Sequence, residues 1–300
     1  MKNGLLFILP GAKEIGRALM QQFNAEEGNA IIRKFPDGET LVKVVSDVYG
    51  REVLIVCSLN NPDEKLLPLY LLAKTLKEFG ASSVLLIAPY LAYIRQDKSF
   101  SFGECISAPL FAQLLSTCVD QLITLQPHFH TGKSLSELYP IHASGVSAAP
   151  LIASWVVNNV SKPFLISPDN ESSQWVEKMA EDIQVPFMAF NKSRKTDEEV
   201  ELVLSQMATI DGARTPVIID DAITTGATMK EAIVTLRKFT AKLPVCIAVH
   251  GLFVRGAFEK LMMAGAGKIV TTNTLSHPTN AIGVERLLAD EVCKNSFVLY

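Results

Sequence analysis

Short apolar runs separated by helix-patterned segments constrain the fold of this 300-residue chain more than any other feature. Each run is rich in Val, Ile and Leu at nearly every position, which is typical of strands covered on both faces of a parallel sheet. The runs predict strands at Leu5–Leu9, Val53–Cys57, Ser83–Ala88, Gln121–Leu125, Phe164–Ser167, Val217–Asp220, Val245–Val249 and Ile269–Thr272.

The segments between these runs have helical spacing. From Glu64 to Phe79, leucines recur every three or four positions and so share one stripe of a helix, and Gly80 follows its end. Strands and helices that alternate through short connections predict an α/β fold. The other predicted helices are Ile106–Cys118, Ser147–Val157, Ser172–Ile183 and Thr228–Phe239.

Residues Ala30–Val45 interrupt this alternation. Two β-type flanks surround the run Pro36–Gly38, whose residue types favour a tight turn. We predict a hairpin attached to the first sheet.

The length of the chain most simply accommodates two domains. The α/β alternation restarts after the segment Ser134–Pro150. We therefore expect an N-terminal domain over residues 1–145 and a C-terminal domain over 146–284, with residues 285–300 packing back on the first.

Composition indicates a soluble globular protein of the cytoplasm. The chain is 48% hydrophobic and 20% charged, and its net charge of −3 provides no basic field for nucleic acid. Five widely spaced cysteines without a Cys-x-x-Cys pair favour buried thiols in a reducing compartment over disulfides or a metal site. The longest apolar stretch, Leu243–Val254, is too short to cross a membrane.

The run Val217–Thr228 (VIIDDAITTGAT) combines features of a phosphate site. A predicted strand ends in Asp220 and Asp221, a hydroxyl-rich loop with Gly226 follows, and helical sequence begins at about Thr228. Backbone N–H groups at a helix start hold phosphate, and the carboxylates suit ribose hydroxyls or Mg²⁺. A plain strand–turn–helix with a capping threonine is the alternative, but two acids before Thr-Thr-Gly-x-Thr favour the phosphate site.

This run resembles the signature that binds 5-phosphoribosyl 1-diphosphate (PRPP) in type I phosphoribosyltransferases and PRPP synthetases. The resemblance implies two phosphoribosyltransferase-like domains, each a mainly parallel sheet flanked by helices. It also implies that Asp220 and Asp221 contact ribose. The residues implied to hold its 5-phosphate are Thr224, Thr225, Gly226, Ala227 and Thr228.

Two further segments resemble the ATP site of PRPP synthetases. The run Phe35–Glu39 (FPDGE) is similar to a hairpin that contacts adenine across a subunit interface, although a plain hairpin turn has the same residue types. The run Pro89–Lys98 (PYLAYIRQDK) supplies aromatic rings, a guanidinium and an amide that can pack on a purine and pair with polyphosphate, where the alternative is a solvated basic turn. The implied ATP-binding residues are Phe35, Asp37, Glu39, Arg95, Gln96 and Asp97.

The resemblance continues through Gly103–Ala108, which is similar to the family's Glu-x-Ile-Ser/Thr-Ala, and through two implied magnesium ligands. His128 matches the histidine of the family's Asp-x-His, but Gln126 replaces its aspartate, and His130 is a possible substitute ligand. Asp169 matches a second magnesium-associated residue. The Gly pair that often follows it is replaced by Asn170–Ser173.

The charged run Asn191–Glu201 resembles the catalytic loop of the synthetases. By this resemblance Lys192 stabilises the transition state, and Arg194 assists it or binds ribose phosphate. Diphosphoryl transfer develops negative charge on oxygen, which a Lys–Arg pair can stabilise. A solvated charged loop is the alternative.

The resemblance implies a ribose-phosphate diphosphokinase, most similar to the shorter archaeal-type members. Such an enzyme transfers the β,γ-diphosphoryl group of MgATP to the 1-hydroxyl of ribose 5-phosphate, giving PRPP and AMP, with Mg²⁺ as MgATP and a second ion. A homo-oligomer, dimer or higher, is implied by the shared ATP site. The alternatives are a PRPP-dependent phosphoribosyltransferase and a non-catalytic, synthetase-like regulatory subunit, which the changes at Gln126 and Asn170–Ser173 keep open.

Overall fold

The computed structural model describes residues 4–99, 101–130, 134–190 and 212–294. The described chain divides into two compact units. Unit 1 contains the residues up to Ser147, the short segment Thr274–Ser276 and the residues from Val284 onward. Unit 2 contains Ala148–Asn273 and His277–Gly283.

Unit 1 contains a six-stranded parallel sheet in the order β2-β1-β5-β6-β7-β8. Its central strands are almost fully buried, because helices cover the sheet and the apolar side chains of both faces lie in the core. The strands are β1 Leu5–Ile8, β2 Glu26–Glu27, β5 Glu52–Val56, β6 Ser83–Ala88, β7 Gln121–Leu125 and β8 His142–Val146. The helices are α1 Lys13–Phe23, α2 Pro62–Glu78, α3 Ser107–Ser116, α4 Leu135–Leu138 and α9 Glu285–Lys294, the last lying against α1.

The predicted hairpin is present, but its attachment to the first sheet was wrong. Strands β3 (Ala30–Lys34) and β4 (Thr40–Val44) pair antiparallel as a separate two-stranded sheet. Strand β4 lies against α2, with Val44 buried in the core of unit 1. The hairpin thus packs one apolar face on a helix and does not add strands to the parallel sheet.

Unit 2 contains a second six-stranded parallel sheet, in the order β10-β9-β11-β12-β13-β14. The strands are β9 Pro163–Ser167, β10 Phe187–Ala189, β11 Thr215–Ile223, β12 Val245–Gly251, β13 Lys268–Thr272 and β14 Asn280–Ile282. The helices are α5 Ala149–Asn159, α6 Asn170–Asp182, α7 Ala227–Leu236 and α8 Ala257–Ala264, the last preceded by a 3₁₀ turn over Val254–Gly256.

The two parallel sheets confirm the predicted fold class, and all eight predicted strands are present. One prediction about the phosphate run was wrong. Strand β11 does not end at Asp220 but continues to Ile223, because Ala222 and Ile223 pair with His250 and Gly251 of β12. Both carboxylates therefore lie within a strand and not after it. Within the described residues, no helix has the length and apolar character needed to cross a bilayer.

Candidate active site

The loop between β11 and α7 lies at the carboxyl edge of the sheet in unit 2 and requires glycine at position 226. Gly226 has a φ of +74°, a left-handed conformation that disfavours other residues. A Cβ added there would lie 3.3 Å from Leu261 Cγ and 3.4 Å from Ala257 Cβ, so α8 packs directly against the loop. Helix α7 begins at the next residue, so its first N–H groups are positioned to hold an anion.

The turn after β12 holds the start of this loop by backbone hydrogen bonds. The N–H groups of Leu252 and Phe253 both donate to the carbonyl of Ile223 at 3.0 Å, and Val254 N–H donates to Thr224 O at 3.0 Å. Phe253 has a left-handed φ of +46°, and its ring lies 4.2 Å from that of His277. This aromatic contact packs against the turn after β12. Sequence patterns did not predict that this turn belongs to the site.

Three carboxylates are buried beside the loop: Asp169 is 6% exposed, and Asp220 and Asp221 are each 8% exposed. Burial, followed by the negative charges of Asp221 and Asp169, raises the pKa of Asp220 well above its ordinary value. The N–H of Asp221 donates to Asp220 Oδ1 at 2.9 Å and offsets part of this effect. Such a group favours a bound cation or hydroxyl donors over further negative charge.

Asp169 is the N-cap residue of α6. Its Oδ1 accepts hydrogen bonds from Glu171 N at 3.1 Å and from Ser172 N at 3.2 Å. The buried hydroxyl of Ser172 lies 3.3 Å from the same oxygen and 2.7 Å from Ser167 Oγ, which in turn donates to Asp169 O at 2.5 Å. Asn170–Ser173, which replaces the family's Gly pair, therefore forms the first turn of a capped helix.

In unit 1, the predicted ATP segment follows β6 and is anchored by Tyr93. Its hydroxyl donates to Asp63 Oδ1 at 2.5 Å, which raises the pKa of Tyr93, and its ring lies 4.8 Å from that of Phe111 on α3. The structure places Arg95, Gln96 and Asp97 together directly after this anchor, with Asp97 buried. The sequence analysis did not identify the roles of Asp63 and Phe111.

The predicted metal ligand His128 follows β7, also in unit 1. Gln126 has a left-handed φ of +42°, its N–H donates to Val146 O at 2.7 Å, and its side-chain oxygen accepts a bond from Ser147 Oγ at 3.3 Å. The rings of His128 and His130 meet edge to face, with centroids 5.1 Å apart. The structure thus brings the two histidines together, while the amide of Gln126 bonds to the protein.

The predicted adenine-binding hairpin has a preformed turn. Phe35 N–H donates to Glu39 O at 2.8 Å, Gly38 N–H to Phe35 O at 2.9 Å, and Glu39 N–H to Asp37 Oδ1 at 3.1 Å. The guanidinium of Arg33 lies 4.7 Å from the ring of Phe35, which is 37% exposed. The predicted catalytic residues Lys192 and Arg194 lie outside the described residues.

Comparison with known proteins agrees with this arrangement. Residues 5–118 match the N-terminal domain of ribose phosphate pyrophosphokinase, and residues 134–287 match the phosphoribosyl transferase domain. The ribose-phosphate pyrophosphokinase of Saccharolobus solfataricus is 34% identical over 251 residues, which cover 81% of this chain and 83% of that protein. The chain belongs to the ribose-phosphate pyrophosphokinase family.

The likeness to this family extends over nearly the whole chain. The ribose-phosphate pyrophosphokinase of Methanobrevibacter smithii is 28% identical over 291 residues, which cover 93% of this chain and 96% of that protein. The structure of phosphoribosylpyrophosphate synthetase from Mycobacterium smegmatis shares the fold, with a TM-score of 0.84 at 24% identity over 98% of this chain and 100% of that one. The predicted family, its archaeal-type resemblance and the predicted class of enzyme, a diphosphotransferase that forms PRPP, are confirmed.

The buried carboxylates predict a pH-dependent effect of Asp220→Asn on stability. Because the pKa of Asp220 is raised on folding, ionising it destabilises the ligand-free fold as pH rises from the ordinary aspartate pKa through the raised value. Asparagine removes that charge. We expect a higher thermal midpoint at about pH 7.5, by roughly 2–4 °C per kcal/mol gained, and a smaller difference near about pH 4.

Calorimetry without ligands measures this difference. Asp290→Asn, which neutralises an exposed carboxylate of α9, serves as the matched control and should change the midpoint little at either pH. The electrostatic account of Asp220 would be wrong if Asp220→Asn lowered the thermal unfolding midpoint by the same amount at about pH 7.5 and at about pH 4.

Proposed function

We propose that this chain transfers the β,γ-diphosphoryl group of MgATP to the 1-hydroxyl of ribose 5-phosphate, releasing AMP and forming PRPP. The oxygen of the 1-hydroxyl forms a bond to the β-phosphorus, and the hydroxyl proton is released. The bond between the β-phosphorus and the oxygen that joins it to the α-phosphorus breaks, and that oxygen leaves with AMP. The observation that carries this proposal is the left-handed Gly226 loop, packed on α8 beside a buried acidic pair.

Ribose 5-phosphate is proposed to bind unit 2. Its phosphate would accept hydrogen bonds from the backbone N–H groups and the threonine hydroxyls of the loop and of the first turn of α7. Its vicinal hydroxyls would donate to Asp220 and Asp221. These donors would offset the burial and charge repulsion that act on Asp220. The proposed phosphate ligands are Thr224, Thr225, Gly226, Ala227 and Thr228.

ATP is proposed to bind unit 1 through Arg95, Gln96 and Asp97, with the preformed turn Phe35–Glu39 of a neighbouring copy around its adenine. Arginine and amide donors suit the phosphate oxygens, and an exposed aromatic ring suits a purine face. Phe35, Asp37 and Glu39 would be the contacts in that turn. This arrangement requires a homo-oligomer, because one copy completes the site of another.

Magnesium is proposed to accompany ATP, with a second ion at the carboxylates. Buried oxygen ligands with an unfavourable negative potential fit Mg²⁺, a hard cation, so Asp169 is well suited to hold it. His128 is proposed as a ligand from its place in the family pattern. Bound Mg²⁺ would neutralise charge on the phosphate oxygens. Asp169 itself would keep its carboxylate orientation through the cap of α6.

A direct assay tests the proposed reaction. Purified protein is incubated with ATP, Mg²⁺ and ribose 5-phosphate, and AMP and PRPP are quantified. We expect the two products in equal amounts and no AMP without ribose 5-phosphate. Product formed by this chain alone excludes a regulatory subunit. Absence of PRPP would instead support a non-catalytic regulatory subunit. Consumption of added PRPP with a base would support a phosphoribosyltransferase.

Replacing each of two glycines that have a left-handed φ should raise the KM for one substrate and not for the other. Gly226→Ala strains the loop and crowds α8, so we expect the KM for ribose 5-phosphate to rise about tenfold while the KM for ATP changes little. Gly38 has a φ of +92°, and an added Cβ would meet open space. Gly38→Ala therefore strains only the backbone of the adenine turn and should raise the KM for ATP alone. Steady-state kinetics measure both values, and equal effects on both substrates would contradict the assignment.

Lys192 is proposed to stabilise charge that develops during transfer, with Arg194 assisting. Removing one such charge generally lowers the rate by about 10²–10³, so we expect Lys192→Ala to lower kcat by that factor. Lys195→Ala, which removes a cation three positions away, is the matched control. Turnover is measured as AMP release with both substrates saturating, and near-normal turnover of Lys192→Ala would remove Lys192 from the proposed mechanism.

A further inference from the structure

Gln96 of unit 1 is held by three hydrogen bonds, and two of them come from the start of α3. Its backbone N–H donates to Tyr93 O at 3.0 Å. Its backbone carbonyl accepts from Ala108 N–H at 3.2 Å, and its side-chain oxygen Oε1 accepts from the hydroxyl of Ser107. Gln96 is exposed, and of these three bonds the one from Ser107 holds its side chain.

Ser107 is not used as the cap of its own helix. Ile106 occupies the N-cap position of α3, and Ser107 is the first residue inside the helix. One turn later on the same face, the ring of Phe111 packs on that of Tyr93 at 4.8 Å. One face of α3 therefore contacts both the anchor of the ATP segment and the amide of Gln96.

We infer that Ser107 is a positioning residue that holds the Gln96 side chain in place for ATP. The serine hydroxyl donates to Oε1, so both hydrogens of Nε2 point away from α3 and are available as donors. The phosphates and ring nitrogens of ATP present mainly acceptors. The inference rests on the proposed role of Gln96 in binding ATP.

The fixed position matters because a glutamine side chain has several rotatable bonds. The Ser107 hydroxyl holds the amide beside the start of α3, with Oε1 accepting its hydrogen bond. Without that hydroxyl the side chain adopts other rotamers as well, and ATP must order it on binding. The loss should therefore appear in ATP affinity and not in the chemical step.

Titration calorimetry of the intact protein with MgATP, without ribose 5-phosphate, tests the inference. We expect Ser107→Ala to raise the Kd for ATP about three- to tenfold, the range for loss of one hydrogen bond. The Kd for ribose 5-phosphate and kcat at saturating ATP should stay within about twofold. Ser116→Ala removes a hydroxyl that donates to Ala112 O at 2.7 Å in the same helix, and this control should leave ATP affinity unchanged.

The conservative and double variants separate positioning from general damage. Ser107→Thr keeps a hydroxyl and should retain affinity, whereas Ser107→Val, of matching shape, should lose it. This pair decides the question if Ser107→Ala does not fold. In a Gln96→Ala background, Ser107→Ala should add no further loss, because the side chain it positions is absent.

Two results would overturn the inference in distinguishable ways. If Gln96→Ala weakens ATP binding but Ser107→Ala and Ser107→Val do not, the positioning role is wrong while the proposed ATP site stands. If Gln96→Ala leaves ATP affinity unchanged, the proposed role of Gln96 itself is wrong, and the inference falls with it.

Discussion

The pairing of β11 with β12 beyond the acidic pair is the interaction on which the site in unit 2 depends. The backbone pairing of these two strands continues to Ile223 and Gly251. Asp220 and Asp221 therefore lie within a paired strand, where both side chains are buried. The chain then turns after Gly251, and its next N–H groups bond back to Ile223 and Thr224. One pair of strands therefore fixes both the carboxylates and the start of the phosphate loop.

This geometry has an energetic cost that a ligand can offset. Burial, and then repulsion from Asp221 and Asp169, raises the pKa of Asp220, so the ligand-free unit is less stable than a neutral version would be. A bound cation or a set of hydroxyl donors would offset this repulsion, so a ligand that binds the folded unit here would also stabilise it. Stability and affinity are thus coupled at this site through the same side chains.

Sequence patterns could predict the central strands because continuous apolar runs are specific to buried parallel sheets. They could not predict β2, β8, β10 or β14, which are outer strands without such a run. They also placed the end of β11 too early, since two acids favour a turn locally while the neighbouring strand supplies ladder partners as far as Gly251. Tertiary pairing decided that boundary.

Motifs predict candidate ligand-binding residues but not the residues that hold them in place, because that support depends on contacts between distant positions. The replaced Gly pair after Asp169 illustrates the difference. From sequence it kept the alternative of a non-catalytic subunit open, and the structure shows Ser172 donating its N–H to the Asp169 carboxylate at 3.2 Å. A glycine would offer only the N–H. The serine hydroxyl in addition lies 2.7 Å from Ser167 Oγ, so the substitution keeps the Asp169 cap and links the first turn of α6 to the end of β9.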